Sequence, residues 1–258
     1  GFKSVAAISD SPRMISRSGS FGWDREKSRR AVEKTIGRVE DVPLLRLAWP
    51  INTIAEVDAD PLLASLMEWA TTVVKLPLSV RMESVLADMQ KFPPSFLVFA
   101  PHVRSIKMRI RWRDGEETVR DIRSVWDRNL VKVSTDENGR DSVEAWRVFH
   151  IDHQPSRAAL EDAGSTGQRE SIRLTWAVPQ ASSVEIGSFS AFFPLEMSTT
   201  LRGILNAPWK LTEDRRTLLE GDFNREILVE VVPKLVESSL PELIGSDPAA
   251  YLDLLPAR

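Results

Sequence analysis

Two arginines near the end of the chain carry the clearest chemical signal in the sequence. Arg215 and Arg216 follow Thr212, Glu213 and Asp214, and this pattern predicts a helix capped by Thr212 with acidic residues in its first turn. Neighbouring helix positions point in different directions, so one arginine can pair with a carboxylate while the other reaches an anion. Arginine suits phosphate, because its planar guanidinium donates two parallel hydrogen bonds and keeps its charge. Two ordinary surface salt bridges are the simpler alternative.

A second chemical signal lies at the start of the chain, where the sequence begins Gly1, Phe2, Lys3. A glycine lets a phosphate approach backbone amides closely, and a helix that starts there adds a favourable dipole. Taken alone, one glycine before an apolar segment marks a turn more often than an anion site.

The histidines offer a third possibility for chemistry. His150 and His153 flank Asp152, and a His-x-x-His pair beside a carboxylate can bind zinc or act as a base. The sequence shows no third ligand, so we expect structural roles for both histidines. The chain has no cysteine, which removes thiolate chemistry and agrees with a reducing, cytoplasmic location.

Composition bounds the class of protein. The chain has 258 residues with 42% hydrophobic content, enough for one or two packed domains. A formal net charge of -3 gives no electrostatic case for nonspecific binding to nucleic acid, although a local basic groove stays open. No stretch approaches the roughly 20 apolar residues that cross a bilayer, so we expect no membrane partner.

The elements around these signals predict two lobes. In the first lobe, residues 25–34 predict a solvated helix face or a loop, and residues 71–78 predict a strand. Asp60 marks a helix start, because its carboxylate can cap free amides ahead of a proline. Ser79 is a candidate cap for a helix that ends near Lys91.

The paired Pro93 and Pro94 cannot continue that helix, so we place the boundary between domains 1–92 and 93–258 there.

Strands dominate the second lobe. The predicted strands are residues 105–112, 116–124, 130–135, 143–151, 169–177 and 187–193. Gly115 and Gly139 follow Asp and Asn, and these dipeptides predict antiparallel hairpins. Residues 224–237 predict an amphipathic helix that Pro233 kinks. The fold class is therefore α+β, with helices packed on a mainly antiparallel sheet.

The two ends of the chain together resemble the GHKL ATPases, most closely their sacsin and heat-shock chaperone branch. Residues 1–5, the turn at 8–12 and the strand at 20–24 resemble the Gly-rich phosphate box of the sacsin-like form. Residues 191–194, 206–210 and 213–216 resemble the segment that delivers an arginine to the terminal phosphate in heat-shock chaperones. The sheet between them matches the family only in the order of its elements.

The resemblance implies a fold and a set of site residues. Domain 1–92 would be the remnant of a GHKL (Bergerat) α/β sandwich lobe, and domain 93–258 would be a middle or transducer-like lobe.

It implies that the backbone amides of Gly1 and Phe2 belong to the cradle for the ATP triphosphate, with Lys3 as a charged neighbour. Arg215 would sense the terminal phosphate, and Arg216 would be its support or its alternate.

The resemblance also implies that part of the ATP site precedes this chain. In intact members, an upstream helix provides a Glu that activates water and an Asn that holds Mg²⁺, and an Asp-x-Gly turn contacts adenine. We therefore expect a fragment that does not hydrolyse ATP alone. Its parent would be a chaperone-like machine that uses ATP and Mg²⁺ and acts on client or partner proteins.

Two alternatives stay open. The chain can be a noncatalytic scaffold or regulatory module of a larger nucleic-acid or defence-related protein, which predicts local ion pairs for Arg215 and Arg216. The ATPase interpretation instead expects Arg215 to face Gly1. The DNA-gyrase, MutL and MORC branch of the superfamily uses a lysine from its second domain, and Lys210 is the candidate for that role.

Overall fold

The chain folds into helices and β-strands, and most neighbouring strands pair in antiparallel fashion. The structure, a computed structural model, describes residues 2–40, 42–164, 170–180, 186–245 and 248–255. The chain divides into two units, Gly1–Lys91 and Phe92–Arg258. Each unit combines helices with a β-sheet, which confirms the α+β class.

A small antiparallel sheet organises the first unit. Its described strands pair in the order β3-β2-β1-β4. Their bounds are β1 Arg13–Ser16, β2 Phe21–Gly22, β3 Trp49–Pro50 and β4 Thr72–Lys75. The helices are α1 Arg25–Ile36, α2 Thr53–Ala59, α3 Pro61–Met67 and α4 Met82–Gln90. Short 3₁₀ helices cover Phe2–Ala7 and Leu44–Arg46.

Side-chain caps explain where helices of the first unit begin. The Asp60 carboxylate accepts hydrogen bonds from the amides of Leu62 and Leu63 at 3.1 Å, which confirms the predicted start of α3. The Ser79 prediction was wrong. Its amide donates to the carbonyl of Ile8 at 2.9 Å, and α4 begins without a side-chain cap.

The second unit contains a larger sheet whose described strands run in the order β11-β10-β12-β9-β8-β7-β6-β5. The first five strands in sequence form an antiparallel meander with the predicted hairpins, β5 Ser105–Arg111, β6 Glu117–Asp127, β7 Leu130–Glu137, β8 Arg140–His153 and β9 Ile172–Pro179. The other strands are β10 Gly187–Ala191, β11 Phe193–Thr199 and β12 Ile204–Asn206. β12 lies between β9 and β10 and runs parallel to β10.

Helices cover this sheet on both faces. They are α5 Phe96–Phe99, α6 Arg157–Ala163, α7 Asp222–Glu226 and α8 Val232–Ile244. One core joins Trp176 of β9 to Phe223 of α7 and Leu235 of α8. A second core, on the α5 side, joins Leu97 to Val131.

The predicted amphipathic helix at 224–237 is confirmed, with an irregular middle. A π-helical turn, Ile227–Val231, separates α7 from α8 and ends two residues before Pro233. Proline has no amide proton, so a change of backbone hydrogen bonding is expected at this point. A 3₁₀ helix, Pro248–Leu254, follows. No helix in the described part of the chain is long and apolar enough to cross a membrane.

Candidate functional site

The segment that carries the two arginines is a hairpin. The predicted helix at Thr212 was wrong, because Leu211 and Leu218 pair as an isolated antiparallel bridge. The Thr212 amide donates to the carbonyl of Thr217 at 3.1 Å, and the Thr212 hydroxyl donates to Asp214 at 2.6 Å. The hydroxyl that was expected to cap a helix therefore closes a turn.

Asn224 of α7 holds the base of this arginine hairpin, residues 210–219. Its side chain is buried and forms three hydrogen bonds with the two ends of the hairpin. The amide nitrogen donates to the carbonyls of Lys210 and Leu219, both at 2.7 Å, and the amide oxygen accepts from the Lys210 amide at 3.0 Å. One side chain thus fixes the spacing of the two hairpin strands where they leave the core.

Arg216 is held against the sheet. Its guanidinium lies 3.2 Å from the Glu196 carboxylate of β11, and both side chains are 63% exposed. Its backbone carbonyl also accepts a hydrogen bond from the Glu196 amide at 2.8 Å. An exposed ion pair contributes little stability, so the backbone bond is the firmer of the two contacts.

Arg215 lies at the tip of the hairpin and is exposed. Its φ is 59°, in the left-handed region that non-glycine residues rarely adopt. Its amide donates to the carbonyl of Thr212 at 2.9 Å, which fixes this conformation. The guanidinium forms no ion pair with any residue that the structure describes. Arg215 is therefore a cation on a constrained backbone, available to a ligand.

Asp214 supports the tip of the hairpin. The hydrogen bond from the Thr212 hydroxyl lowers the pKa of the Asp214 carboxyl below its ordinary value, and the Arg216 amide lowers it further. A charged carboxylate accepts both bonds at neutral pH, so the turn that presents Arg215 is intact there.

Lys210 makes a contact that the sequence did not indicate. Its ammonium group lies 2.5 Å from the Asp162 carboxylate of α6, and both side chains are 23% exposed. It also donates to the Asp162 carbonyl at 2.5 Å. Lys210 thus joins α6 to the base of the hairpin, and a bound anion would compete with Asp162 for it.

The other predicted phosphate ligands belong to the first unit. Gly1 lies outside the described residues, so its predicted place opposite Arg215 is not described either. Phe2 and Lys3 lie in the 3₁₀ helix Phe2–Ala7. The turn that follows is well anchored, because the buried Ser9 hydroxyl donates to the carbonyl of Pro77 at 2.7 Å.

His153 has a structural partner. Its Nε2 lies 2.7 Å from Oε1 of Glu226, and the same oxygen accepts from the Ser156 amide at 2.9 Å. No group of three or more candidate metal ligands occurs among the described residues.

An apolar groove of about 530 Å³ runs beside the arginine hairpin. Its lining includes Met197, Leu218, Leu219 and Leu228. Arg225 also lines the groove, but it is paired with Asp222. Arg215, which has no ion pair among the described residues, is therefore the better candidate for binding an anion.

Sequence reasoning missed Asn224, Glu196 and Asp162, which position the hairpin. Asn224 lies 14 residues from Lys210 and 5 from Leu219, Glu196 lies 20 residues from Arg216, and Asp162 lies 48 from Lys210. None of the three stands in a recognisable motif. The one local signal was the turn-forming pair Thr212 and Asp214.

The comparisons with known proteins add no identification. No family model matches the chain, and neither the curated proteins nor the solved structures give a match.

Proposed function

We propose that this chain is the phosphate-sensing part of an ATP-dependent, chaperone-like machine of the GHKL type. In this proposal Arg215 reaches the terminal phosphate of ATP, and hydrolysis in the complete protein controls a conformational change. The protein acts in the cytoplasm on client or partner proteins.

The observation that supports the proposal is the strained backbone and exposed side chain of Arg215. A left-handed, non-glycine backbone costs about 1–2 kcal/mol, and such strain persists where the surrounding structure holds it in place. Here it presents an exposed guanidinium beyond the ordered base of the hairpin. Phosphoryl transfer needs a cation at the developing charge of the terminal phosphate, and arginine supplies it with two donors.

The neighbouring cations are less suited to that role. Arg216 is paired with Glu196, and Lys210 is paired with Asp162. We therefore assign Arg215 as the sensing residue, Arg216 as the support of the hairpin and Lys210 as the link between the hairpin and α6.

In the same proposal, Gly1 and Phe2 contribute backbone amides to the triphosphate cradle and Lys3 a nearby charge. We assign no residue of this chain to Mg²⁺. The family resemblance alone supports these roles.

A noncatalytic scaffold is the second candidate, and the ion pair of Arg216 with Glu196 favours it. That candidate expects both arginines to be engaged locally, and Arg215 has no such partner among the described residues.

The test uses the full-length product of the gene that encodes this chain, in which ATP affinity and ATP turnover are measured separately. We expect Arg215→Ala to lower turnover by about 100-fold or more, because a phosphate-sensing arginine acts in the transition state. ATP affinity should change by less than about threefold. Arg225→Ala is the matched control, since Arg225 is also an exposed arginine of the second unit, paired with Asp222.

Equal turnover in the Arg215→Ala and Arg225→Ala proteins would overturn the assignment of Arg215. Failure of the wild-type protein to bind ATP would overturn the whole proposal in favour of the scaffold.

A further inference from the structure

The large sheet of the second unit ends in a strand whose outer side is unpaired. β5 pairs with β6 on one side, and no described strand pairs with it on the other. It runs for seven residues without proline or a register shift. A free edge of this kind can template the addition of another strand.

The hydrogen bonds with β6 show which backbone groups are free. Ser124 donates to the carbonyl of Arg104 at 2.9 Å, and Trp112 donates to the carbonyl of Glu116 at 2.8 Å. Even-numbered residues of β5 therefore form the hydrogen-bonded pairs with β6. Because antiparallel pairs alternate, the amides and carbonyls of Lys107, Arg109 and their odd-numbered neighbours point outward.

The same residues form a basic ladder, Lys107, Arg109 and Arg111, on the exposed face of β5. Only two weak ion pairs partly neutralise the charge of this basic ladder. Lys107 lies 3.8 Å from Asp121, and Arg111 lies 3.6 Å from Glu117, with both cations more than half exposed.

Arg109 stands opposite Val119 and forms no ion pair with a described residue. The centre of the ladder is therefore uncompensated.

The opposite face of β5 is apolar. Ile106, Met108 and Ile110 are half-buried, and the first two pack against the core that includes Leu97. A strand added beside β5 would therefore place alternate side chains against cations and against hydrocarbon.

We propose that β5 binds an extended segment of a partner protein in which acidic and apolar residues alternate. Backbone hydrogen bonds to the free edge provide affinity, and the basic ladder together with the apolar row provides register and specificity. The site lies apart from the arginine hairpin in sequence and does not depend on the proposed ATPase function.

Charge favours this occupant over two others. A second copy of β5 in antiparallel register would set Lys107 against Arg111, and like charges directly opposite are destabilising. Nucleic acid would meet Asp121 and Glu117 within the same surface. An acidic peptide strand would reach the cations from the outer edge, away from β6.

The test measures fluorescence anisotropy of a short labelled peptide in which glutamate alternates with valine, titrated with the 258-residue chain. A peptide of the same composition with glutamates and valines in separate blocks is the control, and it should bind at least about tenfold more weakly.

Arg109→Ala and Arg109→Pro form the critical pair of variants. Both remove the charge, but only proline removes the outward amide, and edge strands tolerate proline at such positions. We expect Arg109→Pro to bind at least about tenfold more weakly than Arg109→Ala. In the wild-type chain, amide exchange of Lys107, Arg109 and Arg111 should slow when the peptide binds.

Three results would overturn the proposal. The first is equal peptide affinity of the two Arg109 variants when circular dichroism shows that both are folded. The second is unchanged amide exchange in the wild-type chain when peptide is added. The third is displacement of the labelled peptide by oligothymidine at a lower concentration than by unlabelled peptide. The first two indicate that the ladder only prevents aggregation at the edge. The third indicates a nucleic-acid surface.

Discussion

The side-chain amide of Asn224 forms two hydrogen bonds with the backbone of Lys210, in the pattern that a neighbouring β-strand would form. Its side-chain oxygen accepts from the Lys210 amide at 3.0 Å, and its side-chain nitrogen donates to the Lys210 carbonyl at 2.7 Å. The helix α7 thereby holds the arginine hairpin through a side chain that imitates a backbone.

Replacement of this residue should destabilise the second unit. Asn224→Ala removes three hydrogen bonds from a buried site and leaves a backbone carbonyl and an amide in need of partners. We expect the free energy of unfolding to fall by about 2–4 kcal/mol, measured by urea denaturation. Arg225→Ala, at the next residue but on an exposed side chain, should change it by less than about 0.5 kcal/mol.

A glycine at position 215, at the tip of the hairpin, should raise stability while it removes the side chain proposed to sense phosphate. Arg215→Gly relieves the left-handed strain at φ 59°, so we expect the free energy of unfolding to rise by about 0.5–1 kcal/mol. The same variant removes the exposed guanidinium. Arg216→Gly is the matched comparison, and it should lower stability mainly because glycine adds backbone freedom to the unfolded chain without relieving strain at this position. Lower stability in both glycine variants would contradict the strain argument.

The hairpins at Asp114-Gly115 and Asn138-Gly139 could be predicted because their signals are local. A dipeptide that favours positive φ decides a turn without help from distant residues, and Gly115 and Gly139 have φ values of 90° and 82°.

The arginine hairpin could not be predicted in the same way. Thr212 and the acids after it suit a helix start as well as a turn, and Asn224 decides between them by binding both ends of the segment. A contact of this kind, made by a residue outside the segment, cannot be predicted from the residue pattern within the segment.

The strand β11 was also difficult to predict from the sequence. Pro194 argues against a strand interior, but β11 is the outer strand of the sheet, where a missing amide is tolerated.

Acid should weaken the link between Lys210 and Asp162. The hydrogen bond from Lys210, and after it the amide of Phe223, lower the pKa of the Asp162 carboxyl from its ordinary 3.8. The folded state thus binds this proton less tightly than the unfolded chain, so the contribution to stability is complete above pH 3.8 and is lost as pH falls through the lowered pKa.

The measurement is the urea midpoint of the wild type and of Asp162→Asn between about pH 2 and 7. The advantage of the wild type should be constant near neutral pH and shrink below pH 3.8. Lys210→Met removes the largest cause of the shift and should reduce the same acid-dependent difference. A wild-type advantage that stays constant down to the lowest pH would refute this account.

Replacement of Glu226 should lower the free energy of unfolding more than replacement of a neighbouring residue, because one of its carboxylate oxygens bonds both the Ser156 amide and the His153 ring. Burial raises the pKa of Glu226, but the hydrogen bonds from Ser156 and His153 lower it by more, so the carboxyl stays charged at neutral pH. Glu226→Ala leaves the Ser156 amide and the half-buried His153 ring without this partner. We therefore expect a loss of about 1–3 kcal/mol in the free energy of unfolding. Glu230→Ala, at an exposed carboxylate of the same helical segment, should cost less than about 0.5 kcal/mol, and equal losses in the two variants would show that the shared oxygen does not set the effect.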